Sequence, residues 1–300
     1  MAAAIPSQPD SPPEMEESVV RVPTRRVPVA PVPLAVRLAD GRGPRRQSSP
    51  LATLDSAVIA DVDPAGRVQL AERTWSLDWW VGAEDRWHHA SMEGARSTGA
   101  VDSSPIRETR LRVPGGEVVQ RVGAAMATAG EFSGAGVVVE FENDSAVPVA
   151  LALALTPWEL DGRGALDGAQ LARNTDEGSV VALDGERSLV LDRAVVRVVS
   201  GGTGDVAKAL AAGSDEVAVD GRRFEAAESG DLELALVVPL AHTATVRVLL
   251  AAPPAPVKKR GRVGGGSGEL DVPLSMPALG TVASGWATHA ARDPRIVPPY

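Results

Sequence analysis

The chain has 300 residues, 44% of them hydrophobic, and a formal net charge of -9. That content is enough for a large core and too high for a fully disordered chain, and the acidity argues against a global electrostatic grip on nucleic acid or anionic lipid. Cysteine is absent, which excludes disulfides, thiolate nucleophiles, iron–sulfur clusters and Cys-based zinc sites and suits a reducing compartment.

Residues 1–50 are rich in Pro, Ser and Arg and are expected to run from disordered to extended, because Pro at that density prevents a regular central strand. Their arginines, from Arg21 to Arg46 with Asp40 as the only acid, form one basic cluster, and Lys258, Lys259, Arg260 and Arg262 form another. Both read as solvated tails or linkers. The first residues have neither a basic n-region nor an apolar h-region, so no secretory signal is expected. The longest apolar stretch, 147–156, is too short to cross a bilayer and contains Pro148. A cytoplasmic protein without membrane or nucleic-acid partners is the expectation.

From 51 to 252 short strands alternate with tight turns. Residues 57–61 and 68–70 flank Asp63-Pro64-Ala65-Gly66, a turn sequence. In 74–81, Trp75, Leu77, Trp79 and Val81 share one face, while Ser76, Asp78 and Trp80 share the other. Residues 107–113 alternate as a half-buried strand, and Pro114-Gly115-Gly116 turns the chain into 118–126. Residues 137–142 lead through Asn143-Asp144-Ser145 into 147–155, which reads as a hairpin. In 147–155 leucines alternate with alanines, so both faces should be covered. Further strands are expected at 180–183, 188–191 (after an Asp184-Gly185 turn), 195–199, 232–238 and 243–250. Asp220-Gly221 marks a hairpin, and the last two strands read as a pair around 239–242. A short helix is expected over 206–212, capped by Thr203 or Asp205 and stopped by Gly213. Residues 253–271 have linker composition. In the tail, 272–300, a helix over 277–291 carries Leu279, Val282, Ala283 and Trp286 on one stripe. The fold class is therefore mainly β: a large antiparallel sandwich with one short inserted helix and a C-terminal helical segment.

The densest polar and aromatic stretch is 73–92. A carboxylate beside a large ring suits sugar recognition, because the ring stacks on CH groups and the carboxylate accepts from hydroxyls. The candidate saccharide contact is Asp78, Trp80, Asp85, Trp87 and His88. Glu84, Asp85, His88 and His89 are poor metal ligands, since adjacent histidines diverge in an extended chain. No catalytic residue, cofactor or metal is expected. There is no G-x-S-x-G elbow and no motif spacing among Ser, His and Asp. The glycine-rich 200–205 could form an anion nest but lacks the lysine of a P-loop.

Three stretches together carry a resemblance: ERTWSLDWWVGAEDRWHHAS (72–91), IRETRLRVPGGEVVQRVGAA (106–125) and VVVEFENDSAVPVALALAL (137–155). They resemble the N-terminal β-sandwich half of actinobacterial proteins related to six-hairpin, or α/α-toroid, glycoside hydrolases. Residues 282–286 resemble the start of the segment leading into the helical half. The resemblance implies a sandwich that buttresses a helical barrel and helps shape its cleft. The acid and base would lie in that barrel, so no catalytic residue carries over. The expected function is a non-catalytic accessory or remnant module that packs against a helical-barrel partner or downstream domain and contacts carbohydrate. The alternatives are a purely structural protein–protein interaction module and a stand-alone carbohydrate-active enzyme.

Overall fold

The computed structural model describes residues 48–54, 56, 58–93, 97–101, 104–159, 162–228, 230–252 and 268–292. Both basic clusters and most of the 1–50 and 253–271 segments lie outside the described residues. The elements in chain order are strands β1 (Ser49–Leu51), β2 (Ala60–Val62), β3 (Val68–Leu70), β4 (Ser76–Gly82), β5 (Trp87–His88), β6 (Ser97–Ala100), β7 (Arg107–Val113), β8 (Gly116–Gly130), β9 (Phe132–Asn143) and β10 (Val149–Thr156). There follow β11 (Gly168–Thr175), β12 (Gly178–Leu183), β13 (Glu186–Leu191), β14 (Arg197–Gly201) and helix α1 (Asp205–Ala212). The chain continues through β15 (Glu216–Val217), β16 (Arg223–Glu225), β17 (Glu233–Leu240), β18 (Thr245–Ala251), β19 (Leu270–Ser275) and helix α2 (Leu279–Arg292).

These strands make two antiparallel sheets, which is the expected sandwich. Sheet 1 runs β1-β2-β3-β4-β10-β17-β14-β15, with β5 also on β4. Sheet 2 runs β16-β11-β12-β13-β18-β9-β8-β7-β6, with β19 on β8. The core is built by period-two alternation. Leu77, Trp79 and Val81 of β4, with the leucines of β10, meet Val137, Val139 and Phe141 of β9 and Val246, Val248 and Leu250 of β18. Trp79 and Phe141 touch across the gap, ring centroids 5.4 Å apart. Every residue of β10 is buried, because its alanines face outward beneath further structure.

Turn chemistry fixes some connections. Asp184 and Gly185 both have positive φ, as a two-residue hairpin turn requires, and β12 pairs β13 across them. Three other connections differ from the hairpins expected. β9 lies in sheet 2 and β10 in sheet 1, so Asn143-Asp144-Ser145 carries the chain between sheets. The turn at Asp220-Gly221 does the same between β15 and β16, and residues 241–244 do so between β17 and β18. Two of these crossings meet at Asn143. Its buried amide donates to the Val147 and Leu240 carbonyls and accepts from the N–H and hydroxyl of Ser145. One side chain thus satisfies the irregular backbone of both corners.

Each sheet carries a second layer outside. Over sheet 1, Val206, Ala207 and Leu210 of α1 pack on Ala150, Ala152, Ala154, Val199, Ala235 and Val237. The cap of α1 is not Thr203 or Asp205 but Gly204, at φ 81° and without a side-chain cap bond; Gly213 closes the helix at φ 65° as expected. Over sheet 2, β19 and the N-terminal end of α2 bury Leu270, Val272, Leu279 and Ala283. The stretch read as linker and helical tail therefore contains a strand, β19, which pairs with the end of β8. Among the described residues no helix is long and apolar enough to cross a membrane.

Candidate functional site

The 73–92 stretch folds around one edge of β4. β3 pairs that edge at Val68–Leu77, and β5 pairs it at Val81–His88 and Gly82–Trp87. Between the two short partners lies Asp78. Arg67, one step before β3, reaches it from one side, and His89, one step after β5, from the other. Arg67 donates through Nε (3.2 Å) and Nη2 (2.9 Å) to Asp78 Oδ2. His89 Nε2 lies 2.9 Å from Asp78 Oδ1, and the Trp79 N–H donates to the same oxygen at 2.9 Å. All three side chains are buried. Burial alone would raise the Asp78 carboxyl, but the facing His89 and Arg67 outweigh it and hold the group well below the usual carboxylate range. Arg67 is oriented in turn by Asp63, whose Oδ1 accepts the Ala65 and Arg67 N–H groups.

The loop beyond β5 is held by a second, half-exposed network. His88 Nε2 is 2.9 Å from Asp85 Oδ1, and its Nδ1 is 3.0 Å from Glu93 Oε1. Arg86 Nη1 donates to the same Glu93 oxygen at 2.6 Å. Burial would raise Glu93, but Arg86 and His88 hold it below its ordinary value. Trp87 crosses the backbone of Gly82 so closely that a Cβ there would meet its ring at 3.0 Å. Trp80 stacks on His89 with ring centroids 4.5 Å apart.

The five expected contact residues are neighbours, but they point mostly inward. Asp78 is taken by Arg67 and His89. Trp80 and Trp87 lie among the alanines of β10 and the apolar face of α1. His88 is buried, and Asp85 alone is exposed. Sequence reasoning weighed His89 only as a metal ligand, and it missed Arg67, Ser91 and Glu93. Arg67 and His89 reach Asp78 only through cross-strand register. For Ser91 and Glu93, spacing two and four residues past His89 was the only available signal.

A third polar group lies at the start of α1. Glu233 of β17 lies against the backbone N–H groups of Gly204 and Val206, which favour its charged form. Asp231 takes the N–H and hydroxyl of Thr203. The glycine-rich nest is therefore filled by the chain's own carboxylates. Burial, reinforced by the charges of Asp231 and Asp205, pushes the Glu233 carboxyl up to about 7 despite the two N–H donors. Among the described residues no group of three His, Asp or Glu side chains is set to hold a metal ion. Compared with models of known protein families and with curated proteins, the chain matches none of either.

Proposed function

We propose that the chain is an accessory β-sandwich module that docks on a helical partner through α2. The observation that carries this reading is how α2 is attached. Only Leu279 and Ala283, at its N-terminal end, are buried, with Val282 half-buried beside them. The same stripe continues through half-exposed Trp286 to exposed Ala290. At 1.5 Å per residue about 13 Å of helix follows Ala283, every residue of it exposed but Trp286. A 14-residue helix gains little from propensity alone, so a stripe continuing past the sandwich favours a further packing surface. Gly280, Ser284, Ala287 and Ala291 flank it, and small residues let a second helix approach closely while Trp286 fills a hole between its side chains. The resemblance to sandwich halves that buttress helical barrels points to the same class of partner.

The test is calorimetric titration of the whole chain with candidate helical-barrel proteins. Binding that Trp286→Asp weakens at least tenfold, with the unfolding temperature unchanged, supports the reading; binding indifferent to that substitution sinks it. Carbohydrate contact has less geometric support, because Trp80 and Trp87 are covered. Heat with a glucan or trehalose-type sugar that Trp80→Ala abolishes would restore it, and no heat would leave docking alone.

A further inference from the structure

On the other side of the sandwich, we propose that Ser91 is an activated nucleophile with His89 as its base, and that the chain slowly cleaves activated acyl esters. Ser91 is exposed, and its Oγ lies 2.6 Å from His89 Nδ1. The Ser91 backbone N–H also points at that nitrogen, at 3.3 Å. A backbone N–H can only donate, so Nδ1 carries the lone pair and Nε2 carries the proton given to Asp78. His89 is thus held in the tautomer whose Nδ1 lone pair faces the hydroxyl proton. A serine two residues after a histidine makes the first contact by chain geometry alone. Chain geometry does not supply Asp78, eleven residues back, buried and clamped by Arg67. That carboxylate orients the ring and stabilises the imidazolium formed when the proton moves.

The balance closes without a cofactor. Ser91 Oγ bonds to the acyl carbon, and its proton passes to His89 Nδ1. The bond to the leaving alkoxide breaks, and that oxygen takes the proton back from Nδ1. Water then hydrolyses the acyl-serine, its proton passing to Nδ1 and on to Ser91 Oγ. The Met92 and Glu93 N–H groups both donate to the His89 carbonyl, and the Ser91 N–H is engaged with His89. None of the three is available to a developing oxyanion, which restricts the chemistry to good leaving groups such as aryl oxides.

The test treats the whole folded chain with a fluorophosphonate, which forms an Oγ–P bond and expels fluoride, and with p-nitrophenyl acetate. One adduct on Ser91, absent in Ser91→Ala and in guanidinium-unfolded chain, is expected, with a matching burst of p-nitrophenol. His89→Asn should slow labelling about 100-fold or more. No adduct, an adduct elsewhere, or equal labelling of folded and unfolded chain overturns the proposal. The folded–unfolded comparison and Ser91→Ala decide it even if His89→Asn fails to fold. Docking through α2 on sheet 2 is untouched by either result.

Discussion

The outer faces of the two sheets both carry charge, but in different ways. On sheet 2 the row Glu108–Arg121–Glu140–Arg247 crosses four adjacent strands, alternating in sign at each step. Arg121 bonds Glu108 at 2.9 Å and Arg247 bonds Glu140 at 2.9 Å, and Arg110 and Glu117 extend the network into solvent. On sheet 1 the charges of Arg67 and Asp78 are sealed beside Trp80 and His89. Water can replace a partner lost from the exposed end of the ladder, at Arg110 and Glu117, but not one lost from the sealed pair. The same chemical contact is therefore an adjustable surface feature on one side and a fixed internal clamp on the other.

Substitutions should separate the two faces. Asp78→Asn removes the carboxylate that Arg67 and His89 both bond and should cost roughly 3–5 kcal/mol, read as a fall in the urea midpoint. Asn143→Ala, which strips both sheet-crossing corners, should cost about 2–4 kcal/mol in the same assay.

Glu233 provides a pH-dependent contrast. Its folded pKa, about 7, stands above the ordinary 4.5, so the native state holds the proton more tightly than the unfolded chain. Its contribution is favourable below 4.5 and declines as pH rises through 7. Glu233→Gln should gain stability over the parent at pH 8, by at most about 3 kcal/mol at 1.36 kcal/mol per pKa unit, with the gain shrinking as the pH is lowered towards 4.5. Unfolding curves at several pH values check the slope. Asp78 works in the opposite sense: its depressed pKa gives stability that is present above 3.8 and lost as pH falls through the folded value. Arg110→Ala, on the exposed end of the ladder, should change stability by less than about 1 kcal/mol and by less still in high salt.

The faces were easier to read in the sequence than the connections. Alternation placed Trp75, Leu77, Trp79 and Val81 inward and Asp78 and Trp80 outward. Leucine–alanine alternation in β10 showed a strand covered on both sides. Sheet membership was hidden, since Asn143-Asp144-Ser145 has the composition of a hairpin turn and nothing local distinguishes a chain that returns from one that crosses. Asp78 was legible as unusual, but its partners were not. Arg67 looks like a turn residue and His89 like one of two adjacent histidines, until β3 and β5 bring them to the same edge. The strand β19 was obscured by the glycine-rich composition of the residues before it, and its pairing with β8 is a long-range contact that local propensity does not reveal.

A double-mutant cycle on Arg67 and Asp78, run beside one on Arg110 and Glu117 at low and high salt, tests the sealed-versus-solvated contrast most directly. A coupling above about 2 kcal/mol that 1 M salt barely changes is expected for the first pair, and one below about 1 kcal/mol that salt removes for the second. Equal couplings, or a first coupling that salt abolishes, would contradict that contrast.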